Sequence, residues 1–337
     1  MNAADPLLTV RGLSVFFRAG LDVVQATSGV SFAIQPGERL GIVGESGCGK
    51  TVTGLALLGL LPRASSRVTG SAMFEGQDLI SLSPGQLRRV RGRKISMIFQ
   101  EPMSALDPVF TIGSQIGETI RTHFGVDRGA ARRRAIDALA SVGIPSPERV
   151  HDSYPHQLSG GMRQRAMIAI ALVCEPRLLI ADEPTTALDV TIQAQIIDLL
   201  MDLSARTGTA LLFISHDLGV IAETCTRMIT MYAGEVVEDA PVDAALVRPR
   251  HPYTSGLLRS LPRLSPRGAA LPSIAGRVPS LRDMPAGCRF AARCHHALPD
   301  CDKAQTLSEV EAGHFVRCWR HDVLELPGAL TDLERVA

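Results

Sequence analysis

Residues 44–51 read Gly-Glu-Ser-Gly-Cys-Gly-Lys-Thr; they follow the apolar run Arg39–Val43 and open a helical pattern at Gly49. Few backbones accept such a segment. A strand must feed a glycine-rich turn whose successive N–H groups converge as an anion nest. A helix must then begin at once, so that its positive N-terminal end faces the same anion. Gly44, Glu45, Ser46, Gly47, Cys48 and Gly49 supply the cradle, Lys50 is placed to bridge β- and γ-phosphates, and the Thr51 hydroxyl is placed to ligate Mg²⁺. A glycine-rich turn with no ligand is the bland alternative, and the flanking strand and helix argue against it. Cys48 occupies a permissive loop position where redox sensing is a further alternative.

The rest of the chain alternates short apolar runs with longer helical patterns, the mark of a parallel sheet with crossover helices. Strands are expected at 13–17, 39–43, 95–99, 178–181, 210–214 and 228–231, and helices starting at Gly49, Gly160, Thr191 and Asp217. Four of these strands run straight into a chemically loaded residue: Gly44, Gln100, Asp182, and Ser215 with His216. Open α/β sheets bind ligands at the carboxyl ends of their strands, so the repetition points to one site. Residues from about 103 to 175 show three- and four-residue steps, as at Ile136, Leu139, Ala140 and Gly143, which predict an inserted helical subdomain. Five prolines between Pro262 and Pro285 mark a linker, and a cysteine-bearing tail follows over 286–337.

Composition sets the limits. A chain of 337 residues with 45% hydrophobic content can bury one large domain and an appendage, and a net charge of +1 gives no global field for nucleic acid or anionic lipid. The longest apolar stretches, 55–61 and 166–174, fall short of the roughly 20 residues that span a bilayer. With no secretory pattern at the start, the expectation is a soluble, cytoplasmic chain that reaches a membrane through partners.

Two further segments carry chemistry. The run Leu-Leu-Ile-Ala over 178–181 ends in Asp182 and Glu183, and a buried strand delivering paired carboxylates is costly unless they meet a cation or a proton. Asp182 therefore reads as holding Mg²⁺, directly or through water, and Glu183 as the general base that polarises an attacking water. Residues 157–164 read Gln-Leu-Ser-Gly-Gly-Met-Arg-Gln: Ser159 suits a helix N-cap, and Gly160 and Gly161 let that helix end approach an anion closely.

Phosphate loop, Gln100, the 157–164 stretch, Asp182-Glu183, the run Pro-Thr-Thr-Ala-Leu-Asp ending at Asp189, and His216 occur in the order of the ATP-binding cassette (ABC) ATPases, which the chain resembles over roughly residues 7–240. That resemblance implies an ABC-type P-loop domain over 7–261: a RecA-like core with an antiparallel β subdomain and the helical insertion. It makes Gln100 the Q-loop residue sensing Mg²⁺ and γ-phosphate, His216 the switch histidine at the γ-phosphate, and Asp189 part of the D-loop. It places Phe17 on the adenine, with Phe16 as the alternative. Ser159, Gly160 and Gly161 then grip ATP held by an opposing subunit.

The segments 100–108, 251–258 and 287–294 resemble the ATPase subunits of bacterial dipeptide and oligopeptide importers, with nickel importers sharing parts of the pattern. This implies two membrane permeases, a second and paralogous ATPase, an extracytoplasmic solute-binding protein, a peripheral seat on the cytoplasmic face of the inner membrane, and no nucleic acid. A soluble ABC ATPase acting on nucleic acid or ribosomes is the alternative from another class. It would need a coiled-coil insertion or two cassettes, and neither is present. The tail spacing Cys288-x5-Cys294-x6-Cys301-x16-Cys318 is unlike the usual zinc knuckle. The importer resemblance implies a [4Fe–4S] cluster in a small C-terminal extension, with bound Zn²⁺ or uncoordinated thiols as the alternatives.

Overall fold

The computed structural model describes residues 5–20, 22–101, 105–186, 188–261 and 273–329. Parts of the segments singled out above, namely 102–104, Ala187, linker positions 262–272 and tail positions 330–337, lie outside the described residues. Two compact units result: one takes the chain up to Ile34, Arg39–Ser81 and everything from Phe213, the other Gln35–Glu38 and Leu82–Leu212. Along the chain the first unit contributes β1 (Leu8–Ala19), β2 (Asp22–Ile34), β3 (Arg39–Val43), β4 (Ser66–Phe74) and β5 (Gln77–Asp78); the second contributes β6 (Ile95–Ile98) and β7 (Leu178–Asp182). The division runs through β8 (Ala210–Ile214), after which β9 (Arg227–Tyr232), β10 (Glu235–Pro241), β11 (Ser308–Glu311) and β12 (His314–Val316) belong to the first unit.

In the first unit β1 pairs antiparallel with β2 and β4, giving the sheet order β2-β1-β4-β5. A second sheet runs β11-β12-β10-β9-β3, with β3 and β9 parallel and the remaining pairs antiparallel. Leu40, Ile42 and Val43 of β3 are fully buried, which is why this strand is an unbroken apolar run rather than an alternating one. Ser215 N–H donates to the Ile42 carbonyl at 3.1 Å, so the chain leaving β8 ends beside the end of β3.

The C-terminal extension joins this sheet. Glu238 on β10 is a buried carboxylate that accepts from the Arg250 N–H at 2.6 Å and the His251 N–H at 3.1 Å, and it stands 2.7 Å from His314 Nε2 on β12. A buried charge satisfied from three sides resists separation, since removing any partner leaves the others unpaired in low dielectric. His314 is thereby committed to Glu238. Burial holds the His251 imidazole neutral, with its pKa lowered to about 3, and Nδ1 accepts from the Tyr253 N–H at 3.1 Å.

In the second unit β6 and β7 pair in parallel, Ile95 opposite Leu178, and every residue of both strands is buried. Helices Ile112–Phe124, Arg128–Ser141 and Gly160–Leu172 lie in the stretch from about 103 to 175. Thr111 and Asp127 cap the first two through side-chain oxygens. Within Arg128–Ser141 the buried face is Ala131, Ala135 and Leu139, whereas Ala140 is exposed, and Gly143 lies beyond the end of the helix. Three helix starts shift by one residue, to Lys50, Val190 and Leu218, with Gly49, Asp189 and Asp217 standing at the N-cap positions outside the helices.

Candidate functional site

The phosphate loop lies in the first unit between β3 and the helix Lys50–Leu57. Gly44, Gly47 and Gly49 have φ of 148°, 79° and 100°. A Cβ on Gly44 would stand 2.2 Å from the Met231 carbonyl oxygen of β9, and one on Gly49 would stand 2.8 Å from Thr27 Cγ2. A Cβ on Gly47 would meet nothing within 4 Å, which marks the open side of the turn. Lys50 is buried, and its ammonium donates to the Gly44 carbonyl at 2.7 Å and the Glu45 carbonyl at 3.1 Å, so the charge sits over the nest rather than in solvent. His216 follows β8 in the same unit, and the neighbouring Ser215 Oγ accepts from the Asp217 N–H at 2.9 Å. Phe17, on β1, is half-buried; Phe16 lies under the Arg67 guanidinium, 4.7 Å from its ring centroid.

Cys48 is fully buried, and burial raises its thiol pKa against the pull of Lys50. The thiolate is the reactive form, so a buried, high-pKa thiol is inert. The redox alternative for Cys48 has no support in this environment. Iodoacetamide at pH 8 is expected to leave Cys48 unmodified in the folded chain and to modify it after denaturation, as read by peptide mass spectrometry.

The second unit brings Gln100 and Glu183 together. Gln100 Nε2 donates to Glu183 Oε2 at 2.9 Å, and Thr186 Oγ1 donates to the same oxygen at 2.8 Å. Glu183 has φ 45°, a left-handed conformation that costs a non-glycine residue of order 1–3 kcal/mol and is typical of functional strand ends. Asp182 beside it is 2% exposed, a buried carboxylate of the hard-oxygen type that Mg²⁺ takes. Ser159 Oγ accepts from the Met162 N–H at 3.3 Å and caps Gly160–Leu172. A Cβ on Gly160 would enter open space, whereas one on Gly161 would stand 3.3 Å from Ile192 Cγ2. Asp189 caps the helix Val190–Thr207 by accepting from the Ile192 N–H at 2.9 Å.

Two participants escaped the sequence. Tyr253, fully buried, accepts from the Glu45 N–H at 2.8 Å, and Gln164 donates through Nε2 to the Pro184 carbonyl after Glu183. Neither carries a local signal of its role, because each partner is remote in sequence.

The four tail cysteines are free thiols lining one cavity of about 20 Å³. Burial pushes the Cys318 thiol up to about 11, and its neighbours Cys288, Cys294 and Cys301 add to the rise. Cys301 Sγ accepts from Trp319 Nε1 at 3.4 Å and from the Leu298 N–H at 3.5 Å. Among the described residues no group of three or more His, Cys, Asp or Glu stands in metal-holding geometry.

A strand-bound phosphate loop, a buried acid followed by a glutamine-tethered glutamate, and a serine-capped glycine helix define an ATP-hydrolysing cassette. A profile described as ABC transporter matches residues 27–186, and one described as oligopeptide/dipeptide transporter, C-terminal region, matches 237–301. A probable peptide ABC transporter ATP-binding protein of Sinorhizobium fredii is 54% identical over 320 residues, covering 94% of this chain and 96% of that protein. The dipeptide transport ATP-binding protein DppD of Bacillus subtilis is 48% identical over 320 residues, covering 94% and 96%. Among solved structures, the dimeric post-hydrolysis ATP-binding cassette MJ0796, bound to ADP and Pi, is similar with a TM-score of 0.62 at 27% identity, covering 70% of this chain and 98% of that one. The chain belongs to the ABC transporter ATP-binding family, and it is an ATPase.

Proposed function

We propose that the chain is the ATP-hydrolysing subunit of an importer that takes up dipeptides or oligopeptides. The observation that carries this reading is end-to-end likeness, C-terminal region included, to peptide-transport ATP-binding proteins. In this reading the chain works beside a second, paralogous ATPase. It sits peripherally against two permeases on the cytoplasmic face of the inner membrane, fed by a solute-binding protein. Among the described residues no helix is long and apolar enough to cross a membrane.

Each residue has a role in the cycle. N–H groups of the 44–51 loop and Lys50 hold the triphosphate; Phe17 lies against the adenine. The Thr51 hydroxyl, Asp182 and the Gln100 amide oxygen are oxygen donors of the kind Mg²⁺ prefers, and Mg²⁺ neutralises phosphate charge when bound. Glu183 takes the proton of the attacking water, His216 steadies the γ-phosphate, and Ser159, Gly160, Gly161 and Asp189 serve the ATP of the partner ATPase. Reconstitution with the permease pair and receptor tests the reading. Peptide, and not nickel, is expected to stimulate ATP turnover and to accumulate in proteoliposomes; nickel uptake would transfer the chain to the nickel branch.

For the extension, the proposal is that Cys288, Cys294, Cys301 and Cys318 hold a [4Fe–4S] cluster, with Zn²⁺ as the alternative. What supports it is that four cysteine sulfurs, the ligand type and number such a cluster takes, line one cavity. Anaerobically purified chain is expected to be brown, to contain iron and acid-labile sulfide, and to lose both when Cys294 and Cys301 become serine. Stoichiometric zinc without iron would establish the alternative.

A further inference from the structure

Glu45, the second residue of the phosphate loop, is held by the C-terminal extension. Arg293 Nη1 donates to Glu45 Oε2 at 2.6 Å and Nη2 to Glu45 Oε1 at 3.0 Å, a fork-to-fork pair. The Arg293 side chain is 5% exposed. Its other hydrogen bonds go to backbone and to a phenol: Nε donates to the Ala275 carbonyl at 2.9 Å, Nη2 also to the Ile274 carbonyl at 3.0 Å, and Nη1 also to Tyr232 Oη at 3.3 Å. The guanidinium lies 5.7 Å from the Tyr232 ring centroid and 6.0 Å from that of Phe290, and Tyr232 stands edge to face with both Tyr253 and Phe290. Tyr253 in turn takes the Glu45 N–H, so backbone and side chain of one loop residue are both fixed from outside the loop.

This arrangement has an electrostatic consequence. A carboxylate on an anion-binding turn repels a triphosphate, and the Glu45 side chain, 31% exposed, is only partly screened by water. A buried, prearranged guanidinium cancels that charge and cannot lose its own proton.

We propose that Arg293 is a positioning residue for ATP binding: it neutralises and pins Glu45, keeping the phosphate loop open to the triphosphate. The inference rests on the 44–51 loop being the ATP site. Arg293 closes the short 3₁₀ turn Ala291–Arg293 and immediately precedes Cys294. The fold of the thiol-bearing turn therefore sets where the guanidinium lies.

The test uses the assembled transporter, with steady-state ATP turnover and binding of a fluorescent ATP analogue. Arg293→Ala is expected to raise KM for ATP about tenfold, the equivalent of ~1.4 kcal/mol, while kcat stays within about twofold. Adding Glu45→Gln to Arg293→Ala is expected to recover most of that affinity, because the repelling charge is gone; a merely unfolded extension would not be rescued this way. Arg293→Lys, which keeps the charge and loses the fork, is expected to raise KM about threefold. Unchanged KM in Arg293→Ala or Arg293→Lys, or failure of Glu45→Gln to rescue, overturns the proposal; if Arg293→Ala does not assemble, Arg293→Lys decides. Lys50→Ala separates the two readings: unaltered nucleotide affinity there would remove the loop itself from ATP binding.

Discussion

Glu183→Gln lowers steady-state ATP turnover by about 10²–10⁴-fold, the range that a positioned general base supplies. The substitution is nearly isosteric, and the new amide oxygen can still accept from Gln100 Nε2 and Thr186 Oγ1, as Glu183 Oε2 does at 2.9 and 2.8 Å. What disappears is the ability to take a proton from water. ATP-induced closure of the assembled complex should persist, because closure draws on binding groups and not on the base. Phosphate release and ATP-dependent association, measured on the same preparation, distinguish the two. Near-normal hydrolysis by this variant would exclude Glu183 as the base.

Gly44→Ala is the second large effect. The residue has φ 148°, and its new methyl would stand 2.2 Å from the Met231 carbonyl oxygen and 2.8 Å from Cys48 Sγ. Met231 is fully buried in β9, which pairs with β3, so the carbonyl cannot retreat and the loop must. Strain of roughly 3 kcal/mol in the loop corresponds to about a hundredfold loss of ATP affinity. Gly47→Ala meets no atom within 4 Å and carries only the strain of φ 79°, so its loss should be several-fold smaller. Equilibrium binding of the pair reads the difference. Wild-type affinity in Gly44→Ala would contradict the loop conformation described here.

The parallel-strand core was legible because its members announce themselves. β3 and β8 have the boundaries read from the sequence, and β6, β7 and β9 differ only at their ends. Buried strands are continuous apolar runs, and the turn chemistry that follows them is distinctive. The antiparallel strands were less so. β1 extends well beyond 13–17, and β2 was not placed at all, because bulges around Leu13 and Val15 and glycines at positive φ break the two-residue alternation. β12 has three residues and no pattern to read.

The site divides in the same way. The sequence by itself determined the phosphate loop, the buried acid and its neighbouring glutamate, and the serine-capped glycine helix. Each of these is a local arrangement of backbone and side chain whose geometry a few adjacent residues dictate. Only the tertiary structure decided that Tyr253 and Arg293 hold Glu45, that Gln100 tethers Glu183, and that Gln164 reaches the Pro184 carbonyl. Those pairings join residues far apart along the chain, where contact is set by the packing of whole elements and leaves no periodicity for a sequence to display.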